Sequence, residues 1–337
     1  MSEYRPEDNN DFDPIHTILI LVGILVTVFG QIQLYTTPIN NAIAVPSAMW
    51  VSLAGVGIFA ITLLFRFGPA GNRILSRFPK NPLALWIVFA FLLSALAAVA
   101  SYLFEIYGLT NFIPVVSFWL LGSFCYVLAF VIHNNLQRDW KTWLRDNRQE
   151  LSWLGLILLL GIAMRFYKLG ALPRVINGDE ARIGLFAQGT TEGLLANPFA
   201  LWENIGALYL QAINFAISWL GASPFSLRLL PAIAGTLAIL STYLFSRQVA
   251  GKRAALITAM LLAFSHTHIH FSRTVAVSYI QGTWLIPLEL YLLLSGLEKR
   301  SSWRAALGGV FLAFHMSIYI SAQIIAGILL VYALVAA

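Results

Sequence analysis

Apolar residues fill most of this chain in runs of about twenty, and short polar stretches separate the runs. A helix of about 20 apolar residues crosses the bilayer interior, because its backbone polar groups bond internally. The pattern predicts spans at residues 15–35, 44–65, 83–104, 112–132, 151–169, 228–246, 254–271, 275–297 and 305–321. A further run begins at Ala322 and stops at Ala337 without a polar flank, so we expect the native chain to continue beyond it. The predicted fold is an all-α, polytopic membrane helix bundle with about ten transmembrane helices.

Composition supports a chain whose outer surface faces lipid. Apolar residues make up 59% of the 337 residues and charged residues 11%, whereas a soluble domain carries about a quarter charged residues. The single cysteine, Cys125, lies inside an apolar run, which excludes a disulfide framework and a zinc site built on cysteine pairs. The net charge of +6 comes mainly from basic residues in short loops, so we expect no nucleic-acid partner.

Basic residues occupy alternate loops and so predict the orientation of the chain. The loops at 66–82 and 133–150 carry Lys and Arg, whereas the loops at 36–43 and 105–111 carry none. Positively charged loops stay on the cytoplasmic side, which places the acidic N-terminal tail there and the segment 170–224 outside. We therefore expect a multi-pass protein of the cell membrane (plasma or inner membrane) with a cytoplasmic N-terminus.

Ionisable residues predict a division of the chain into two parts. Residues 1–133 hold four plain apolar spans, and residues 134–150 resemble an amphipathic surface helix on the cytosolic side. Residues 151–337 carry charged side chains in or beside their spans, where such groups face a bundle interior or a water-filled cavity. We expect 151–337 to be the functional core, incomplete at its C-terminus, with the extracytoplasmic loop 170–224. Glu289, within a span, is expected to be a structural interior partner.

The loop after residue 169 holds the first candidate for chemistry. Asn177-Gly178 is a turn signal, and apolar residues follow it at helical spacing, so Asp179 lies at or near a helix N-terminus. An Asp in this position commonly caps the helix. A carboxylate at a membrane boundary can also serve as a general base, and Glu180 lies next to it. Both interpretations are open at this point.

A second candidate lies at the end of the span 254–271. His266, His268 and His270 alternate there, and Arg273 follows. A guanidinium suits a phosphate group, although an arginine can also extend to lipid headgroups without further function. The histidines could contact a substrate or a metal, but a period of two puts neighbours on different helix faces. We assign no metal ligand and leave a divalent metal cofactor open.

Several motifs resemble, in order and spacing, the GT-C-type membrane glycosyltransferases of the protein O-mannosyltransferase and aminoarabinose-transferase kind. The motifs lie within residues 151–325 and are Arg165 in a span, GDEARIG, Leu208-Tyr209, GASPFSLRLLPAIAG, HIHFSR and YISAQ. The resemblance implies that a sugar moves from a polyprenyl-phosphate donor in the bilayer to an acceptor hydroxyl on the extracytoplasmic side. It also implies inversion at the anomeric carbon. The acceptor could be a protein, a lipid or a glycan.

The resemblance also implies roles for the candidate residues. Asp179 would be the base that deprotonates the acceptor hydroxyl, with Glu180 as its neighbour in the catalytic site. Arg273 would be the leading candidate to neutralise the donor phosphate, because charge develops there in the transition state. Arg228, at an outer membrane boundary, could help to bind that phosphate or could only anchor its span. Candidate substrate or metal contacts are Tyr209, His266, His268 and His270.

Two other classes of function fit part of the pattern. Intramembrane charges also line the pathways of transporters and flippases, here for a lipid-linked or anionic substrate. Such proteins often contain inverted repeats, and the two halves of this sequence show no internal repeat. A non-catalytic scaffold would leave the charges of the outer face unexplained. The sequence therefore favours a glycosyltransferase, with a transporter or flippase as the alternative.

Overall fold

The computed structural model describes residues 14–36, 44–67, 82–133, 140–275 and 279–336. The predictions for the N-terminal tail, for most of the basic loop at 66–82 and for the start of the linker fall outside these residues. The first four predicted spans are helices, with bounds α1 Pro14–Thr36, α2 Ala44–Phe67, α3 Pro82–Ile106 and α4 Ile113–His133.

The rest of the described chain is also helical, apart from two 3-10 turns and one small hairpin. Its helices are α5 Trp140–Asp146, α6 Arg148–Phe166, α7 Gly178–Gln188, α8 Ala207–Leu220, α9 Pro224–Phe264, α10 His266–Ser272, α11 Tyr279–Glu298, α12 Ser302–Met316 and α13 Ala322–Ala336. The hairpin consists of β1, Leu201–Trp202, and β2, Ile205–Gly206.

Among the described residues, five helices are long and apolar enough to cross a membrane: α3, α4, α6, α9 and α11. Helices α1, α2, α8 and α13 contain shorter apolar stretches. The prediction of an all-α, polytopic membrane protein is confirmed, whereas the number of ten spans stays a prediction.

The 41-residue helix α9 consists of two helices that fold back on each other. A straight helix of that length would be roughly 60 Å long, twice the thickness of the bilayer interior. Gly251 breaks it with φ 81° and ψ 179°, a conformation that suits glycine alone. The Arg165 side chain lies against Gly235 before the break and bonds Ala263 after it. A straight helix would hold Gly235 and Ala263 roughly 40 Å apart. The turn at Gly251 thus separates the spans that the sequence predicts on either side of it.

The span predicted over 254–271 ends earlier, and this part of the prediction is wrong. Ser265 leaves the helical conformation with φ −60° and ψ 116°, so α9 stops at Phe264. The Ser265 hydroxyl accepts a hydrogen bond from the backbone N–H of His268 at 3.4 Å and so caps α10. The histidine cluster therefore lies in a separate short helix.

The chain divides into two compact units between Ala95 and Leu96, inside α3. In the first unit α1 and α2 approach closely through small residues, and a Cβ atom on Gly55 would lie 2.3 Å from the backbone nitrogen of Thr27. Such approaches are typical of helix pairs in membranes. The functional division at residue 133 stays a prediction.

In the second unit, α4 packs on α12, and Phe112 and Val115 pack with Ala196 of the segment 170–224. That segment also joins the main core of the unit, where α7, α8, α9, α11 and the end of α12 meet. The buried members of this core include Ile183, Tyr209, Leu210, Leu227, Val275, Leu285 and Ile318. The segment 170–224 is thus a packed layer of the second unit.

Candidate functional site

Asp179 lies in the first turn of α7 with an exposed carboxylate that bonds none of the described residues. The N-cap is Asn177, whose side chain accepts a hydrogen bond from the Glu180 backbone N–H at 2.7 Å. The Asn177 N–H in turn donates to the Glu180 carboxylate at 3.2 Å. This reciprocal capping box is complete without Asp179. The capping role considered for Asp179 therefore belongs to Asn177.

Glu180 forms a bidentate ion pair with Arg228. Arg228 Nε donates to Oε1 at 2.8 Å and Nη2 donates to Oε2 at 3.0 Å, and both side chains are 0% exposed. Oε1 also accepts the backbone N–H of Val275 at 3.1 Å. Both carboxylate oxygens are thus occupied and shielded from solvent. In this structure Glu180 joins the start of α7 to α9 and to the chain after α10.

Arg228 uses all of its hydrogen-bond donors inside the protein. The side chain also donates to three backbone carbonyls. Nη1 donates to those of Leu169 at 3.3 Å and Pro173 at 2.9 Å, and Nη2 donates to that of Val175 at 3.3 Å. A guanidinium has five N–H groups, and these five bonds engage them all. The side chain therefore fixes the turn between α6 and α7, and no N–H remains for a phosphate.

Arg273 holds the C-terminal end of α6. Its Nη1 donates to the carbonyls of Met164 at 2.8 Å and Arg165 at 3.1 Å, and its Nη2 to those of Tyr167 at 2.7 Å and Leu172 at 3.1 Å. Its Nε–H bonds none of the described residues. Burial and then the neighbouring charge of Arg228 lower the pKa of Arg273. Both effects disfavour the charged form of the Arg273 guanidinium.

Arg165 forms a second buried cationic centre. It donates to the carbonyls of Leu262 at 3.3 Å and Ala263 at 3.2 Å, at the end of α9, where the helix dipole favours a cation. Its Nη2 also lies 2.8 Å from His268 Nδ1. Because arginine can only donate, His268 accepts at Nδ1 and is neutral, with its proton on Nε2. That nitrogen lies 3.3 Å from the Thr283 hydroxyl oxygen.

The histidines and Tyr209 do not converge on one point. His268 is buried, whereas His266 and His270 are exposed. Within the described residues no three His, Cys, Asp or Glu side chains are close enough to hold a metal ion. Tyr209 is buried in the core, and its hydroxyl bonds none of the described residues. Burial raises its pKa, and the nearby Gln281 offsets part of that effect.

The structure therefore brings part of the predicted site together. Glu180 and Arg228 are in direct contact, and the backbone of Val275 links Glu180 to the chain just after Arg273. Asp179 adjoins this cluster through Glu180. His268 belongs instead to the Arg165 centre.

Contacts between α7 and the hairpin were not foreseen from the sequence. Arg182 forms an ion pair with Glu203, and its guanidinium carbon lies 4.7 Å from the centre of the Trp202 ring. Phe186 stacks on the same ring, with ring centres 3.7 Å apart. The capping box, in contrast, has a signal in the sequence, because Asn177 and Glu180 have the required spacing.

Glu289 pairs in the interior with His315, whose Nδ1 lies 3.0 Å from Oε1, and both side chains are 0% exposed. Their other polar atoms, Oε2 and Nε2, bond none of the described residues. This agrees with the expectation that Glu289 is a structural partner within the bundle.

Comparison with known families adds one match. Residues 203–337 match the dolichyl-phosphate-mannose-protein mannosyltransferase family. The match covers less than half of the chain; it includes Arg228, Arg273 and the histidines but begins after Asp179 and Glu180. It supports a mannosyltransferase-like family of the GT-C type. Neither the curated proteins nor the solved structures give a match.

Proposed function

We propose that this chain is a membrane glycosyltransferase that moves a sugar from a polyprenyl-phosphate donor to an acceptor hydroxyl. The match to a mannosyltransferase family over residues 203–337 supports mannose as the sugar. The observation that carries the proposal is the contrast between Asp179 and Glu180. The Asp179 carboxylate is exposed and bonds none of the described residues, whereas the Glu180 carboxylate is fully buried in an ion pair with Arg228 and so anchors the start of α7.

In the proposed reaction Asp179 accepts the proton of the acceptor hydroxyl while that oxygen attacks the anomeric carbon. The bond between the anomeric carbon and the phosphate oxygen breaks, and the polyprenyl phosphate leaves with the electron pair. Attack and departure occur on opposite faces of the sugar, so the configuration inverts. General-base assistance of this kind contributes roughly 100- to 10,000-fold to a rate.

The arginines would stabilise the negative charge of the leaving phosphate. Arg228 pairs with Glu180, and its charge also acts on Arg273, so two guanidinium groups accompany this one buried carboxylate. Arg273 is partly exposed, and its Nε–H bonds no residue in the described part of the chain, so we assign it the direct contact with the phosphate. Arg228 has no free N–H and would act through its charge and by fixing the position of Glu180.

The other residues predicted to contact a substrate differ in how far their side chains are exposed to solvent. His266 and His270 are exposed in α10, which Arg273 terminates, so they could contact the donor sugar. His268 is neutral and holds Arg165. Tyr209 is buried beside Gln281, and a substrate contact there stays a proposal.

The test is sugar transfer by the purified full chain in liposomes that contain a radiolabelled polyprenyl-phosphate mannose. Serine peptides, lipids and oligosaccharides serve as candidate acceptors. We expect Asp179→Asn to lower kcat at least about 100-fold, whereas Glu192→Gln, an exposed acid of the same segment, keeps the wild-type rate. Wild-type transfer by Asp179→Asn would refute the assigned base. Movement of the labelled lipid across the bilayer without transfer to any acceptor would favour the flippase.

A further inference from the structure

The corner between α5 and α6 is held from its inner side. The buried Asn147 side chain donates to the Trp143 carbonyl at 2.8 Å and accepts bonds from Arg247 at 3.1 Å and Lys252 at 2.8 Å. Glu150, also buried, pairs with the same two cations. Residues of α9 thus occupy the inner side of the corner and leave its outer side to other contacts.

The outer side of the corner forms a shallow groove of about 550 Å³. Its lining consists of Leu144, Arg145, Arg148, Leu151 and Ser152. Leu151 is half-buried, and the other four residues are exposed. The groove therefore combines two guanidinium groups with two leucine side chains and one hydroxyl.

The two guanidinium groups have little compensation from acids. Arg145 lies 3.7 Å from Asp146, but the two side chains are 78% and 60% exposed, so this contact is weak. The Arg148 side chain bonds none of the described residues. Glu150, the next acid along the chain, is turned towards Arg247. The groove is thus positively charged, and guanidinium groups suit a phosphate in particular.

The groove lies where a membrane span begins. Arg148 is the first residue of α6, which is long and apolar enough to cross a membrane. Trp153, 54% exposed and little more than one turn further along, is of a residue type enriched at the boundary between membrane and water. Phospholipid phosphates lie at that level, with the acyl chains beneath them. The two arginines can therefore meet a phosphate while Leu144 and Leu151 meet an acyl chain.

The corner is remote from the proposed site of sugar transfer. Arg273 holds the C-terminal end of α6, whereas the groove lies at its N-terminal end. A helix of 19 residues is roughly 28 Å long. A ligand of the groove would therefore be bound independently of the sugar donor.

We propose that the groove at the α5–α6 corner binds an anionic phospholipid, with its phosphate on Arg145 and Arg148. The inference goes beyond the proposed function and does not depend on it. The exposed leucines and the position at the start of a span favour a lipid over an acidic protein segment. The sequence predicts that this loop is cytoplasmic, and the cytoplasmic leaflet carries anionic lipids.

The headgroup should be one without a cationic amine. An amine would approach the two guanidinium groups and repel them, so a zwitterionic lipid fits less well. The Ser152 hydroxyl donates to the Arg148 carbonyl at 2.9 Å, and its oxygen can still accept a bond from a headgroup hydroxyl. Phosphatidylglycerol has both the negative charge and such hydroxyls, and it is the probe for the tests.

The first experiment measures lipid binding to the full chain in detergent by native mass spectrometry, with phosphatidylglycerol and phosphatidylcholine of the same acyl chains. A basic side chain beside an anionic lipid contributes about fivefold in affinity. We expect Arg145→Gln and Arg148→Gln each to weaken phosphatidylglycerol binding about fivefold and to leave phosphatidylcholine binding unchanged. An unchanged melting temperature reports that each variant folds.

Arg253→Gln is the matched control. Arg253 is exposed just after the turn at Gly251 and does not line the groove, so its substitution removes the same charge from another place. Arg253→Gln should bind phosphatidylglycerol like the wild type. A loss equal to that of Arg145→Gln would overturn the inference, because the charge of the whole surface, and not the groove, would then attract the lipid.

The second experiment separates a lipid from a soluble anion. Leu144→Ser removes apolar contact with an acyl chain and should weaken phosphatidylglycerol binding about fivefold. Glycerophosphoglycerol, the same headgroup without acyl chains, should not displace the bound lipid even in molar excess. Displacement by this compound would reduce the groove to a phosphate site.

Two further outcomes would contradict the proposal. Equal binding of phosphatidylglycerol and phosphatidylcholine to the wild type would remove the role of the headgroup charge. Displacement of phosphatidylglycerol by a glutamate-rich peptide at equal concentration would assign the groove to an acidic protein partner. Neither outcome bears on sugar transfer, which the assay with Asp179→Asn tests separately.

Discussion

The two ends of the first half of α9 are held by the same kind of ion pair in different surroundings. At the Pro224 end, Arg228 bonds Glu180, and both side chains are fully buried. At the Gly251 end, Arg247 bonds Glu150 at 2.6 and 3.1 Å, but the Arg247 side chain is 31% exposed. Lys252, 55% exposed, adds a further contact to Glu150 at 3.3 Å.

The difference shows that burial decides how strongly an ion pair holds its end of the helix. A buried charge that loses its partner is left without compensation, so each member of the Glu180–Arg228 pair needs the other. At the Gly251 end water can hydrate the cations that lose Glu150, and such pairs are worth less. The Pro224 end therefore fixes the geometry beside Asp179, and the Gly251 end is a tolerant anchor.

The largest expected effect on stability follows from Glu180→Gln. The substitution leaves Arg228 buried without an anion and should lower the free energy of unfolding by about 3–5 kcal/mol. Denaturant titration in detergent measures this. Glu192→Gln, on the exposed surface, should stay within about 0.5 kcal/mol of wild type. A loss below about 1 kcal/mol for Glu180→Gln would show that the buried pair does not hold this end of α9.

The turn at Gly251 should give the next largest effect. A Cβ atom is disfavoured at φ 81° and ψ 179°, so Gly251→Ala should cost about 1–3 kcal/mol in unfolding free energy. Gly309 is the matched control, because it lies within α12 and an added Cβ there meets no atom within 4 Å. Gly309→Ala should raise stability by up to about 1 kcal/mol. Equal melting temperatures for both variants would refute the assigned strain.

Glu150→Gln tests the tolerant end directly. It weakens the contacts to Arg247 and Lys252, but both cations stay partly hydrated. We expect a loss of about 1–2 kcal/mol in unfolding free energy, well below that of Glu180→Gln. If the two substitutions cost the same, the contrast between the two ends is wrong.

Asp179→Asn should change the free energy of unfolding least, although Asp179 lies next to Glu180, whose substitution should change it most. Asp179 bonds none of the described residues, so only its interaction with the dipole of α7 is lost. That interaction is worth less than about 1 kcal/mol. Thermal melting alongside the transfer assay separates a catalytic role of Asp179 from a structural one. Activity should fall in Asp179→Asn while its melting temperature stays nearly constant. A large drop in melting temperature would instead make Asp179 structural.

Much of the fold could be predicted from the sequence because lipid contact requires long apolar runs. The bounds of α3 and α4 differ from the predicted spans by one or two residues. The break at Ser265 was missed because the apolar pattern continues across it, and a cap is decided by local backbone geometry. The site was only partly predictable for another reason. Arg228 follows Glu180 by 48 residues, and no local pattern indicates that they pair.

The hairpin had no sequence signal at all. Strands of two residues are too short to show alternation, and only the pairing of Ile205 with Tyr319 decides which edge is covered. Asp179, in contrast, could be singled out as a candidate because its turn signal and its helix are contiguous in the chain.

The Arg165 centre has a consequence for how the protein is made. The carbonyl of Ala263 that Arg165 bonds lies 98 residues later in the chain. At about 5–20 residues per second of synthesis, α6 is complete roughly 5–20 s before that partner emerges. During this interval the guanidinium has to stay hydrated at the membrane surface or inside the insertion machinery. Helix α6 should therefore enter the lipid together with the two halves of α9, and not as an independent first span of the core.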